Sequence, residues 1–227
     1  MRRHAPTIIV LLLLVGAAVA FAETERLKLQ PTAIEEFFVE PAFSPVCACD
    51  QAREAIRLRL HRADRVTVQI VDSAGHTVRG LVDGKRLPRG RTQIEWNGRD
   101  DAGTQAPDGR YSVDVHLARP DRTFRLPRTL ALDTVPPTVR LVSYTPRILR
   151  RSQLHKVIVR YRVSEPAHGV LFVNGRRVVV TNGSRLTGKL NWTPHARGRY
   201  RLQLAARDLA GNLGPRSSVF VVRVRRR

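Results

Sequence analysis

Two cysteines in 227 residues cannot build a disulfide scaffold, and with histidines scattered at 61, 76, 116, 155, 168 and 195 they assemble no four-ligand zinc set. No serine or cysteine stands in a recognisable nucleophile motif with a histidine, and no glycine-rich phosphate loop follows a strand. The chain is therefore read as non-enzymatic and without a cofactor. Aromatics make up only 6% and are not interleaved with the basic residues, which argues against a base-stacking surface and a nucleic-acid partner. Helical periodicity is almost missing, and beyond residue 22 no apolar run approaches a membrane-spanning length. Acidic residues are the scarcest class late in the chain: from residue 135 onward only Glu165 and Asp208 oppose 20 basic residues.

One long apolar run is present. Met1-Arg2-Arg3-His4 is a short basic head, Ile8 to Ala22 is apolar, and Ala18-Val19-Ala20 or Ala20-Phe21-Ala22 offers a small-x-small cleavage site. Fifteen residues span about 22 Å as a helix, which suits a cleaved signal peptide. The 18 uncharged residues from Ala5 to Ala22 also suffice for a retained transmembrane helix with Arg2 and Arg3 on the cytoplasmic side. Either way the chain is expected to be exported: anchored in the cytoplasmic membrane by residues 5–22, or secreted after cleavage near Ala20 or Ala22.

After a linker at 23–42 the polarity alternates with period two. Ile56, Leu58 and Leu60 interleave with Arg57, Arg59 and His61; Val66, Val68 and Ile70, then Tyr111, Val113, Val115 and Leu117, form further inward rows. Turn residues punctuate the rows at Asp83-Gly84, Asn97-Gly98 and Asp108-Gly109. The pattern restarts beyond Asp133-Thr134-Val135-Pro136-Pro137 with Val157, Val159, Tyr161 and Val163, and Asn174-Gly175 is a strong hairpin signal. Trp96 precedes Gly109-Arg110-Tyr111 as Trp192 precedes Gly198-Arg199-Tyr200, an internal repeat of about 90 residues. The expected fold is all-β: two tandem Ig-like antiparallel β-sandwiches, 43–133 and 134–227, behind an N-terminal hydrophobic helix at 1–22.

Phe43-Ser44-Pro45, Val66 to Asp72, Trp96-Asn97-Gly98-Arg99-Asp100-Asp101-Ala102-Gly103 and Pro107-Asp108-Gly109-Arg110-Tyr111 resemble the Ig-like domain of bacterial flagellar hook-capping (FlgD-type) proteins. Asp133-Thr134, Ser164-Glu165-Pro166-Ala167 and Asp208-Leu209-Ala210-Gly211-Asn212 are more loosely similar to Ig-like repeats of bacterial surface proteins. Where the family runs from Phe-Ser-Pro into an Asn-Gly-Asp-Gly type loop, this chain has Val46-Cys47-Ala48-Cys49-Asp50, and the family's assembly segment is not recognisable. The resemblance implies the fold and leaves the flagellar role behind.

Four groups invite a chemical reading. Cys47 and Cys49 could form a disulfide on a turned backbone, remain separate or intermolecular thiols, or belong to a metal or redox site. Asp100, Asp101 and Asp108 miss the spacing of a calcium loop and read as turn formers. Trp96 and Trp192 end alternating rows, where a sandwich keeps core aromatics. Charge is the anomaly: residues 135–227 carry +18 and residues 23–134 only +1, and although 36 of the 40 basic residues are arginine, genomic bias does not remove acids. Arg160, Arg162, Arg199, Arg201, Arg223, Arg225, Arg226 and Arg227 are the candidate polyanion contacts. The partner is then an unknown protein or an anionic envelope polymer or lipid, with the membrane itself reached through an uncleaved N-terminal segment. The expected function is a non-catalytic, exported cell-envelope structural or binding module. The alternatives are an appendage or flagellar-type assembly scaffold and an accessory chain of a cell-wall or surface enzyme.

Overall fold

The computed structural model describes residues 14–18, 21, 32–150 and 155–225. The expected cleavage points at Ala20 and Ala22, and most of the N-terminal segment, lie outside the described residues; 14–18 are helical. Among the described residues no helix is long and apolar enough to cross a membrane, so the expected transmembrane helix has no structural support.

Beyond residue 31 the regular structure of the described residues is β. The first nine strands are β1 (Ile34–Phe38), β2 (Ala42–Phe43), β3 (Glu54–Leu60), β4 (Asp64–Val71), β5 (Thr77–Leu87), β6 (Gly90–Trp96), β7 (Gly109–Leu117), β8 (Arg122–Arg125) and β9 (Leu130–Leu132). They form a three-stranded sheet, β1-β3-β6, and a larger sheet, β2-β9-β7-β4-β5, with β8 beside β7. The inward rows expected from alternation meet between them: Ile56, Val66, Val68, Ile70, Val113 and Val115 have no exposed surface. One core runs from Val39 to Leu132.

One expectation needs correction here. The segment read as linker includes β1, which pairs antiparallel with β3, and Val39 is buried in the core. Its Ile-Glu-Glu-Phe-Phe sequence does not alternate, so the strand depends on a partner that local pattern cannot reveal. The expected antiparallel sandwich forms, with one short parallel pair inside it, β2 with β9.

The remaining strands are β10 (Val139–Thr145), β11 (Ile148–Arg150), β12 (Val157–Val173), β13 (Arg176–Val180), β14 (Arg185–Trp192), β15 (Gly198–Arg207) and β16 (Phe220–Arg225). The parallel exception recurs between β11 and β16. Strand β12 is 17 residues long and belongs to both layers. Its first half pairs with β10 and β14, its second with β13 and β15. The register slips between Arg162 and Ala167, around Pro166, which has no N–H to continue a ladder. At the far end Asn174 and Gly175 both take positive φ, 49° and 85°, as a two-residue hairpin turn requires.

The internal repeat extends to side-chain geometry. Trp96 meets Tyr111 edge-on at 5.0 Å and 67°, and Trp192 meets Tyr200 at 4.9 Å and 68°. Tyr111 Oη donates to the Pro107 carbonyl at 2.6 Å, and Tyr200 Oη to the Ala196 carbonyl at 2.7 Å. Each hydroxyl reaches four residues upstream, the corner that ties a sandwich strand to its incoming loop. A second core, from Leu149 to Val224, surrounds Trp192.

Candidate functional site

The outer face of the β10-β12-β14 sheet is concave and basic. Register determines which side chains share it. Arg140 of β10 stands opposite Arg162 of β12, and Arg160 of β12 stands opposite Lys189 of β14. All four are exposed, since the alternating partners Val159, Tyr161, Val163 and Leu190 point into the core. With Arg185 at the start of β14 they line a groove of about 790 Å³.

Two glycines sit behind this face. Tyr161 lies opposite Gly188, and a β-carbon at Gly188 or at Gly169 would run into the tyrosine ring. The aromatic ring covers the bare backbone that glycine leaves in the sheet. Thr181, also on the groove wall, accepts Gly169 N–H at 2.9 Å and holds the β13–β14 connection against the sheet.

Like charges directly opposite each other on adjacent strands destabilise a sheet, and both cationic pairs do so here. Among the described residues no carboxylate offsets them. Among the described residues every carboxylate ion pair lies between residues 35 and 125: Arg125 grips Asp114 through two 2.8 Å bonds, Arg59 approaches Glu35 at 2.9 Å, and Arg53, Arg79 and Arg91 each reach an acid. The two acids of the second sandwich are elsewhere. Asp208 accepts the backbone and side-chain N–H of Asn212, each at 2.8 Å, and Asn212 Nδ2 also donates to the Asp133 carbonyl at 2.8 Å. Burial raises the Glu165 carboxyl above its ordinary value, and the charges of Asp133 and Asp208 add to the rise. All three acids therefore gather at the joint between the sandwiches.

The candidate arginines divide between two faces. Arg160 and Arg162 line the groove. Arg199, Arg201, Arg223 and Arg225 are exposed on β15 and β16, on the outside of the other sheet, where Arg199 stands opposite Arg223. Arg226 and Arg227 lie outside the described residues. One flat surface cannot meet both faces together. Arg140, Arg185 and Lys189 escaped the sequence reading because only the cross-strand register brings them beside Arg160 and Arg162.

Cys47 and Cys49 are joined in a disulfide with Cα atoms 5.2 Å apart. Their loop packs on the second sandwich: Gln51 Nε2 donates to the Leu209 carbonyl at 3.3 Å, and a β-carbon at Gly211 would strike Cys49 Sγ. Asp100 accepts Thr104 N within its own turn, whereas Asp101 and Asp108 accept the sequence-distant Gly80 N and Thr134 N. Trp96 is fully buried, its Nε1 donating to the Arg99 carbonyl at 2.9 Å. One buried acid is unforeseen. Glu54 is inaccessible; its Oε1 accepts Glu40 N–H at 2.9 Å, while Oε2 is buried without a partner. Burial raises this carboxyl to about 7.

The family model for the FlgD Ig-like domain matches residues 50–121. A comparison with curated protein sequences finds no match. Among solved structures the chain is similar to the fibronectin(III)-like modules of Clostridium thermocellum CbhA, at 12% identity and a TM-score of 0.47, over 84% of this chain and 95% of that one. It is also similar to the BSP domain of a biofilm-associated protein, at 12% identity and a TM-score of 0.32, over 85% of this chain and 30% of that one. The D0-D1 domain of Intimin aligns at 8% identity and a TM-score of 0.34, over 81% of this chain and 96% of that one.

Proposed function

We propose that the chain is an exported, non-catalytic module of the bacterial cell envelope that holds on to an anionic surface through its second sandwich. The basic head and apolar run at residues 1–22 support export, and the Ig-like match at 50–121 supports a structural or binding module. The observation that carries the reading is a contrast inside one chain. In the first sandwich Arg53, Arg59, Arg79, Arg91 and Arg125 reach carboxylates, whereas the groove cations of the second reach none among the described residues. A genome that favours arginine would load both halves alike, so bias alone does not leave one half uncompensated.

In fractionated cells the native chain is expected with the envelope and open to a non-permeant label applied outside the cytoplasmic membrane. Recovery as a soluble cytosolic protein contradicts the proposal. The family match also favours a second reading, an appendage or flagellar-type assembly scaffold. Co-purification with filament or hook subunits in high salt, where screened charges no longer hold the chain to a polyanion, would favour that reading instead.

A further inference from the structure

Resting on the anionic-surface reading above, we infer that the groove on β10-β12-β14 is the binding site, and that its ligand is a linear polymer carrying an anionic group on each repeat. A flat lipid surface or a nucleic acid fits it less well. The argument begins with spacing. Arg160 and Arg162 are two residues apart on one strand, about 7 Å, and neighbouring strands are about 4.8 Å apart. The two opposed pairs, Arg140 with Arg162 and Arg160 with Lys189, therefore set out four cations on a patch about 7 Å by 10 Å, with Arg185 extending it along β14.

Successive anions of a chain polymer can each meet one of these cations, and bringing them together offsets the like-charge repulsion between the opposed pairs. Four of the five cations are arginines, whose planar fork binds a phosphate or a carboxylate through two N–H bonds. Thr187, opposite Arg162, adds a neutral hydroxyl that suits a polyol or sugar backbone between the charges.

Shape separates the candidate sources. A bilayer is flat on the scale of this module and cannot follow a hollow of about 790 Å³, whereas a flexible chain can lie in it. The arginines of β15 and β16 face the other way. Nucleic acid would use exposed aromatics for stacking, and among the described residues the one aromatic lining the groove, Tyr161, is buried.

The full chain in mild detergent is passed over immobilised poly(glycerol phosphate) and immobilised polygalacturonate at low salt. Soluble glycerophosphoglycerol, a lipid headgroup without its tails, serves as competitor. Binding to at least one polymer is expected. Arg160→Ser with Arg162→Ser should weaken it about tenfold or more, and so should Arg140→Ser with Lys189→Ser on the flanking strands. Arg199→Ser with Arg223→Ser on the opposite face should change it less than about threefold. Thermal melts verify that each variant is folded, and because these changes remove opposed cations none should lower the melting point. Equal loss from both faces would overturn the groove while leaving the anionic-surface reading intact. Competition by the headgroup as effective, per anion, as soluble polymer would overturn the polymer and point to single lipid headgroups. No binding by the unaltered chain in any arm would overturn the inference and the reading beneath it together.

Discussion

Arg162 stands directly opposite Arg140 across the β10–β12 ladder, and neither reaches a carboxylate among the described residues. Opposed like charges on neighbouring strands cost roughly 0.2–1 kcal/mol. Arg162→Thr should therefore stabilise the second sandwich by a fraction of a kcal/mol at low salt. The gain should vanish toward 1 M salt, where the Debye length falls to about 3 Å. Denaturant melts at two salt concentrations read it; a loss of stability at low salt would mean that Arg162 has a structural partner.

The paired tryptophans predict parallel costs. Trp96 is packed by Phe43 at 5.2 Å and Tyr111 at 5.0 Å, and Trp192 by Tyr200 at 4.9 Å. Replacement of either by alanine should destabilise its own sandwich by about 3–5 kcal/mol, as removal of a core aromatic does. Trp192 keeps 9% of its surface exposed where Trp96 has none, so the lower end of that range belongs to Trp192. Chemical unfolding followed by amide hydrogen exchange reads the altered sandwich, while the fluorescence of the remaining tryptophan reports the unaltered one, which should not change.

Glu54 gives the first sandwich a dependence on pH. Its carboxyl titrates near 7 in the fold against an ordinary 4.5, so the folded chain holds a proton that the unfolded chain has released. That contribution is complete below about 4.5 and is lost as pH rises through about 7, amounting to about 3 kcal/mol. Glu54→Gln keeps an acceptor for Glu40 N–H and removes the titration. The variant and the parent should match at pH 4.5, and the variant should be the more stable at pH 8. Parallel stability curves across that range would place Glu54 in contact with solvent.

The layered fold was legible because alternation is a local signal: Ile56 to Leu60, Val66 to Ile70 and Tyr111 to Leu117 face inward as read. The Trp–Tyr repeat was legible for the same reason, each tyrosine opening a strand and bonding four residues back. What the sequence hides is pairing between distant strands. Lys189 is 29 residues from Arg160 and becomes its neighbour only through register, and Arg140 joins Arg162 from 22 residues away. The Cys47–Cys49 loop and Gly211 meet across more than 160 residues, a closeness that no periodicity records. The row from Val157 to Val163 marks only the first half of strand β12, which continues past Pro166 and carries the chain from layer to layer.

The central claim is that uncompensated cations of the second sandwich hold the chain to an anionic envelope surface. Its most direct measurement is retention of the purified full chain on isolated, delipidated envelope material across a salt ladder. Delipidation removes any hold through the apolar N-terminal segment. Between 0.01 M and 1 M salt the Debye length shrinks from about 30 Å to about 3 Å. The account predicts firm retention at the low end, progressive release as salt rises, and loss of most low-salt retention when Arg140, Arg160, Arg162 and Lys189 are replaced by serine. Retention that ignores both salt and these four substitutions, or no retention at 0.01 M, would contradict it.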